Sequence, residues 1–289
     1  MKYPPFVPAA VLLFAVAMLA TQAWGAPPSA KAIEEFADDY LARREARGFG
    51  KPLTMTEALL VQKAMVKRLV PALGKPVGYK VGLVTREMQE RFGVEEPVRG
   101  VLLEKMLIQS GDEVPTNFAV RPLLEADLIV VVADKGINKA RSVIEVAEHL
   151  KELVAFIELP DSFIATNPPP SGALLVAGNV GARLGVVGQR APVLGTALFV
   201  KALADMKVTI SDQSGVELGR GEGRVILDHP LNAVLWLMED LSRSGERLKP
   251  GDMISLGSIK AIPAPSGKTI SVRYQGLPSG PLEVSVRLR

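Results

Sequence analysis

The segment Leu124-Glu125-Ala126-Asp127-Leu128-Ile129-Val130-Val131-Val132 places two acidic residues at the start of a continuous apolar run. Such a run predicts a buried β-strand. Because residues i and i+2 of an extended chain point to the same face, Glu125 and Asp127 are expected to project together. A second apolar run, Val154-Ala155-Phe156-Ile157, leads to Glu158, and Leu159-Pro160 then ends that strand. Three carboxylates are therefore expected at the ends of two strands.

Clustered carboxylates repel one another unless a cation or a proton compensates their charge. Ligand sets made only of oxygen suit magnesium, manganese or calcium, whereas zinc and copper prefer nitrogen and sulfur. The three acids therefore indicate a site for a hard divalent metal. The alternative from spacing alone is that they are solvated acids at strand edges.

Length and composition limit the classes of function. The chain has 289 residues, a formal net charge of +3 and no cysteine. This length is sufficient for one large domain or two small ones. The basic residues are scattered, so nothing indicates a nucleic-acid partner. The absence of cysteine excludes disulfides, thiolate metal sites and cysteine nucleophiles.

The N-terminus resembles a secretory signal peptide. Lys2 precedes an apolar stretch from Val7 to Ala20, and Ala23 and Gly25 form a small-residue pattern that suits cleavage before Ala26. The alternative is a membrane anchor, but the apolar stretch is shorter than the roughly 20 residues that a spanning helix needs. We therefore expect a signal peptide over 1–25, a periplasmic or secreted mature protein, and no stable membrane anchor after cleavage.

The mature chain divides into a helical segment over 26–76 and a larger domain over 77–289. Apolar spacing predicts helices over 32–47, over 54–73 with a capping box from Thr54 to Glu57, and over 230–243. From residue 77 onward, short apolar runs between Gly, Pro and Asp turns predict strands. They are expected over 77–83, 124–132, 154–158, 172–176, 207–211, 253–256, 269–274 and 282–288. The pattern favours an α+β fold with a mixed, rolled or barrel-like sheet.

Other polar residues are candidates for chemistry. Strand alternation places Gly78, Lys80 and Gly82 on one face, and glycine neighbours would leave open space around the ammonium group. A desolvated lysine there could polarise an oxo group or donate a proton, although a solvated surface lysine fits the spacing equally well. His229, directly before Pro230, is expected to cap a helix. The glycine-rich segment 219–223 is expected to be a flexible turn.

Four motifs together carry a resemblance to a known family. They are Gly78-Tyr79-Lys80-Val81-Gly82-Leu83, Pro122-Leu123-Leu124-Glu125-Ala126-Asp127, Phe156-Ile157-Glu158-Leu159-Pro160-Asp161-Ser162 and Asp228-His229-Pro230-Leu231-Asn232-Ala233-Val234-Leu235-Trp236-Leu237. Their order and spacing resemble the 2-keto-4-pentenoate hydratase branch of the fumarylacetoacetate hydrolase superfamily over nearly all of the mature chain. The resemblance implies the C-terminal fold of that superfamily.

The resemblance also implies a lyase that depends on Mg²⁺ or Mn²⁺ and acts on a small 2-oxo acid, in a family known for aromatic catabolism. The family's metal ligands map onto Glu125, Asp127 and Glu158, and its lysine maps onto Lys80. The implied reaction adds water to a 2-hydroxy-2,4-dienoate and yields a 4-hydroxy-2-oxo acid. The family also implies a homo-oligomer.

The sequence departs from the family pattern around this site. Leu123 occupies the position of a family arginine, with Arg121 two residues earlier as the nearest substitute for substrate binding. Lys105 occupies the position of a family acid, with Glu104 beside it as the candidate catalytic acid. Leu256 occupies the position of a small hydroxyl residue, which leaves Ser255 and Ser258 as candidate substrate-binding residues. The second ligand is Asp127, one methylene shorter than the usual glutamate.

Three hypotheses follow from this pattern. The first is a hydratase with altered substrate preference, because the three acids and Lys80 are retained. The second is a 2-oxo-acid decarboxylase of the same superfamily, since loss of carbon dioxide passes through the same enolate. The third is a secreted, non-catalytic protein that binds a metal and an oxo acid, which the departures at Leu123 and Lys105 motivate.

Overall fold

A computed structural model describes residues 27–289, so the predicted signal peptide and cleavage point lie outside the described residues. This part of the chain forms seven α-helices: Ala30–Leu41 (α1), Met55–Leu73 (α2), Arg86–Phe92 (α3), Val143–Glu148 (α4), Gly172–Ala177 (α5), Ala197–Asp205 (α6) and Asn232–Arg243 (α7). None of the helices within 27–289 is long and apolar enough to span a membrane.

Residues 27–289 also form thirteen strands, which are Pro76–Gly82 (β1), Val98–Leu103 (β2), Leu107–Gln109 (β3), Glu113–Val114 (β4), Leu123–Val132 (β5), Leu150–Leu159 (β6), Leu184–Pro192 (β7), Lys207–Asp212 (β8), Glu217–Glu222 (β9), Met253–Ser255 (β10), Lys260–Pro263 (β11), Lys268–Gln275 (β12) and Leu282–Leu288 (β13). The architecture is α+β, as predicted.

Eight strands form a mixed sheet in the order β2-β1-β10-β5-β6-β7-β3, with β11 also paired to β5. Strand β5 is central, because it pairs with β6 on one side and with β10 and β11 on the other. From Ala126 to Val132 it is buried at every residue, which explains why its sequence is continuously apolar rather than alternating.

The two faces of β5 pack against different clusters. Leu124, Ala126 and Leu128 belong to the main apolar core, which α7 and the second sheet complete. The opposite face, which we call the carboxylate face, carries Glu125 and Asp127 and continues into a small apolar cluster. Its buried members are Leu102, Ile129, Val131, Val154, Phe156 and Val187. The carboxylate face of β5 is therefore apolar from Ile129 onward, two residues after Asp127.

A five-stranded sheet with the order β4-β13-β12-β8-β9 covers the other side of the main core. Strands β12 and β13 alternate buried and half-exposed or exposed residues, as expected for a sheet with one solvated face. The segment 219–223, expected to be a turn, instead lies largely in β9, where residues 219–222 pair with β8. That expectation was wrong.

Helix α2 packs against the β2 edge of the large sheet, and α1 packs on α2. Helix α2 begins with the predicted capping box, in which Thr54 and Glu57 exchange hydrogen bonds. Helix α1 ends at Leu41, earlier than the predicted residue 47. The predicted strand over 172–176 was wrong, because this run forms α5, with the Ser171 hydroxyl accepting a hydrogen bond from the backbone of Leu174.

Helix α7 begins at Asn232, two residues later than predicted, and its N-cap is Leu231, so the expectation that His229 caps it was wrong. The Nδ1 atom of His229 accepts a hydrogen bond from the backbone N–H of Leu231 at 3.0 Å. Its Nε2 atom lies 2.9 Å from the carbonyl of Val200, so this nitrogen carries the proton. Burial lowers the pKa of His229. The residue is therefore a neutral structural link between α6 and α7.

Candidate active site

The pairing of β5 with β6 brings two of the predicted acids together. Glu125 and Glu158 are direct cross-strand partners, and Asp127 lies two residues further along the same face. Asp127 is fully buried and Glu158 is 4% exposed. Burial raises the pKa of Glu125 to about 7, with Lys80 opposing this rise and Glu158 adding to it. Burial and the neighbouring carboxylate therefore disfavour ionisation of Glu125, and a cation bound beside it would favour the charged form.

Lys80 reaches this cluster from β1. Its Nζ atom lies 3.0 Å from Oε2 of Glu158 and donates a hydrogen bond to the carbonyl of Val180 at 3.1 Å. Burial acts to lower the pKa of Lys80, but the charges of Glu158 and Glu125 outweigh it and raise the pKa. Lys80 is therefore a charged ammonium group at neutral pH.

The surroundings of Lys80 differ from the sequence expectation in one respect. Glycine neighbours were expected to leave open space around the ammonium group, but Lys80 is only 3% exposed. Gly100 on β2 packs against it, since a Cβ atom at Gly100 would lie 2.9 Å from Cγ of Lys80. Glycine here permits close packing rather than open space.

The carboxylate of Asp127 is held by the end of β10. Its Oδ1 atom accepts a hydrogen bond from the backbone N–H of Gly257 at 3.0 Å, and its Oδ2 atom accepts one from the hydroxyl of Ser255. Burial holds the pKa of Asp127 well above its usual range, and the charge of Glu158 adds to this rise. Ser255, itself fully buried, is thus the predicted hydroxyl residue that contacts the cluster.

The donor set fits a hard divalent cation by chemistry and by charge. Three carboxylates face one ammonium group in a buried region, so a bound cation would offset the surplus negative charge. Within residues 27–289, no three acidic or histidine side chains are arranged as a ready metal site. The carboxylate of Asp127 bonds to Ser255 and Gly257, and that of Glu158 bonds to Lys80.

The other sequence-predicted site residues do not join this cluster. Glu104 is exposed and lies 3.8 Å from the ammonium group of Lys75. Arg121 is directed to the carboxylate of Glu45 and the carbonyl of Ile164. Ser258 is half-buried, beyond the residues that hold Asp127. The structure thus brings together Lys80, Glu125, Asp127, Glu158 and Ser255, and leaves Glu104, Arg121 and Ser258 outside.

Two contacts at the cluster have no signal in the sequence motifs. The hydroxyl of Tyr274 on β12 donates to the carbonyls of Asp127 and Phe156, which are cross-strand partners on β5 and β6. The carbonyl of Val180 accepts the hydrogen bond from Lys80. Both residues are more than 90 positions from their partners, and local spacing carries no information about such contacts.

A cavity of about 700 Å³ is lined by Pro76, Gly78 and Tyr79 of β1 but not by Lys80. Tyr79 lines it, and burial raises the pKa of Tyr79 to about 12. The charged groups in its wall are paired in part, since Arg99 and Arg243 both contact Asp240. None of the clustered carboxylates lines this cavity, so it is separate from the candidate site.

No protein-family model matches the sequence. Among curated proteins, the "TodF product hydratase" of Pseudomonas putida is 30% identical over 223 residues, which cover 77% of this chain and 81% of that protein. The "2-keto-4-pentenoate hydratase" of Burkholderia vietnamiensis is 30% identical over 191 residues, which cover 63% and 68% of the two chains.

Among solved structures, the 4-oxalocrotonate decarboxylase of Pseudomonas putida G7, complexed with magnesium and adipate, aligns with a TM-score of 0.78 at 26% identity. The alignment covers 90% of this chain and 97% of that one. The extent of these similarities confirms the resemblance found in the motifs. This chain therefore belongs to the fumarylacetoacetate hydrolase superfamily, in its branch of 2-keto-4-pentenoate hydratases and 4-oxalocrotonate decarboxylases.

Proposed function

We propose that this protein is a metal-dependent hydratase that adds water to a 2-hydroxy-2,4-dienoate and yields a 4-hydroxy-2-oxo acid. The observation that carries the proposal is the buried ion pair of Lys80 and Glu158 beside Glu125 and Asp127. The two relatives named as hydratases support the choice of reaction.

Mg²⁺ or Mn²⁺ is the cofactor that we propose, with Glu125, Asp127 and Glu158 as the residues that would hold it. When bound, such an ion supplies a Lewis acid for the carboxylate and the 2-oxygen of the substrate. The magnesium in the related decarboxylase structure supports this assignment.

Two residues of the chain, Lys80 and Ser255, contribute to the remaining chemistry. Lys80 keeps its proton in a buried site, so it can stabilise negative charge that develops on the 2-oxygen of the substrate. Burial of the cluster strengthens that interaction, because the low local dielectric screens it less than water would. Ser255 holds Asp127 in place by its hydroxyl hydrogen bond.

A decarboxylase of the same branch is the second candidate. Its support is the structural similarity to 4-oxalocrotonate decarboxylase, which extends over 90% of this chain. A decarboxylase needs the same stabilised enolate, but its substrate is a 2-oxo-3-enedioate and its product includes carbon dioxide.

The first test is the loss of ultraviolet absorbance of 2-hydroxypenta-2,4-dienoate with Mg²⁺ or Mn²⁺, repeated with a chelator. Metal-dependent loss that Glu125→Gln abolishes is expected for the hydratase. Carbon dioxide released from a 2-oxo-3-enedioate, without hydration of the dienoate, would assign the decarboxylase instead. If oxo acids raise the melting temperature but are not turned over, the hydratase and the decarboxylase are both excluded and the non-catalytic binding protein is assigned instead.

We also propose that residues 1–25 direct export and that the mature, periplasmic or secreted protein begins at Ala26. The charged Lys2, the apolar stretch and the small residues before Ala26 support this proposal. The intact mass of the exported protein tests it, because an uncleaved chain would retain the mass of 25 further residues. Assembly into a homo-oligomer stays a prediction, which light scattering would test.

A further inference from the structure

The turn at 179–181 has an unfavourable backbone conformation next to Lys80. Asn179, Val180 and Gly181 have φ values of 56°, 54° and 65°, so three consecutive residues are left-handed. Asparagine and glycine tolerate this region, but a β-branched residue such as Val180 does not. A strained conformation of this kind persists only where surrounding contacts hold it in place.

The side chain of Asn179 provides such contacts. Asn179 is fully buried. Its Oδ1 atom accepts a hydrogen bond from the backbone N–H of Val101 at 2.7 Å, and its Nδ2 atom donates one to the carbonyl of Val101 at 2.9 Å. Because β2 is an edge strand of the large sheet, Asn179 takes the place of a neighbouring strand at this position.

The turn held in this way directs the carbonyl of Val180 to the candidate site. The carbonyl of Val180 accepts the hydrogen bond from Lys80, and that of Gly181 accepts one from the backbone N–H of Asp161 at 2.9 Å. The side chain of Val180 packs on Gly82 of the lysine strand, where a Cβ atom would lie 2.6 Å from Cγ1 of Val180. The strained residue therefore contacts β1 through both its backbone and its side chain.

We infer that Asn179 is a positioning residue for Lys80. It holds Val180 in the left-handed conformation, and the Val180 carbonyl then fixes the ammonium group together with its carboxylate partner, Glu158. This inference rests on the proposed function for its catalytic consequence, but the placement of Lys80 can be measured without turnover.

The test compares the full-length mature protein, loaded with Mg²⁺, with Asn179→Ala and with the double variant Asn179→Gly/Val180→Gly. The first readout is the rate at which acetic anhydride modifies Lys80, followed by mass spectrometry and normalised to the partly exposed Lys268. The second readout is kcat and KM for 2-hydroxypenta-2,4-dienoate. Gln62→Ala is the matched control, because Gln62 is an equally buried amide that bonds to the carbonyls of Arg99 and Val176 but not to the turn.

For Asn179→Ala, we expect the modification of Lys80 to rise about tenfold, because the ammonium group loses a hydrogen bond. We expect kcat to fall about 10- to 100-fold with KM changed less than about twofold, since a displaced catalytic group affects the chemical step. Glycine adopts the left-handed region freely, so the double variant is expected to return both readouts to within about fivefold of the unsubstituted protein. Gln62→Ala is expected to lower the melting temperature and leave both readouts unchanged.

Unchanged modification and kcat in Asn179→Ala would overturn the inference, and so would a double variant that does not recover. If Asn179→Ala does not fold, Asn179→Asp decides in its place, because it keeps the acceptor for the Val101 N–H and replaces the donor by a carboxylate oxygen that repels the Val101 carbonyl. If the unsubstituted protein turns over no dienoate, the proposed function fails. The modification rates alone then decide whether Asn179 positions Lys80.

Discussion

Replacement of Lys80 by methionine is expected to destabilise the fold strongly. Lys80 and Glu158 lie 3.0 Å apart, with side chains 4% and 5% exposed. Their attraction at an effective dielectric of about 20 is roughly 5 to 6 kcal/mol before the cost of desolvation. Removing one partner of a buried pair costs about 3 to 5 kcal/mol, because the other charge stays buried without compensation. We therefore expect Lys80→Met to lower the free energy of unfolding by about that amount.

Urea denaturation with chelator present measures this loss directly. Arg86→Ala is the control, because Arg86 and Glu90 form an exposed pair at 2.9 Å with side chains 71% and 63% exposed. Such surface pairs contribute about 0 to 1 kcal/mol. Lys80→Met/Glu158→Leu, which removes both charges, is expected to recover part of the loss. A Lys80→Met variant as stable as Arg86→Ala would refute the argument that the ammonium group compensates the buried carboxylates.

Three further predictions concern the scaffold. Tyr274→Phe removes the hydroxyl that bonds to the carbonyls of both acid-bearing strands, and urea denaturation is expected to show a loss of about 1 to 2 kcal/mol. Burial lowers the pKa of His229, so on acidification the unfolded chain binds a proton at this residue before the folded chain does. The melting temperature is therefore expected to decrease as the pH is lowered below about 6.5, and to decrease less in His229→Gln. Thr54→Ala removes the cap of α2, and thermal unfolding should show a loss of about 1 kcal/mol, whereas no change would mean that the cap is dispensable.

The sequence predicted the elements whose signals are local. The strands at 124–132, 207–211 and 282–288 were found to within a residue, because long apolar or alternating runs have one interpretation. The short run 172–176 was predicted wrongly, because five apolar or small residues fit a strand or a helix equally well. The cap from Ser171 favours the helix. The α+β class and the superfamily were both predicted correctly.

The candidate site was predictable only in part. The shared face of Glu125 and Asp127 follows from strand alternation, and Lys80 and Glu158 followed from the motifs. The ladder that pairs Glu125 with Glu158 is a tertiary contact that no spacing encodes. The same holds for Asn179, which is 78 residues from the backbone groups that it bonds.

Several unfavourable features coincide at one place in this fold. Partly compensated carboxylates, a buried ammonium group and a left-handed valine each oppose folding, and all three meet where β1, β5 and β6 approach the turn at 179–181. Local conflicts of this kind are expected at functional sites, where the surrounding structure must supply the stability. The fully apolar faces that flank the acids on β5 and β6 provide that support. The stability of the site therefore depends on the apolar packing around it rather than on the local preferences of its own residues.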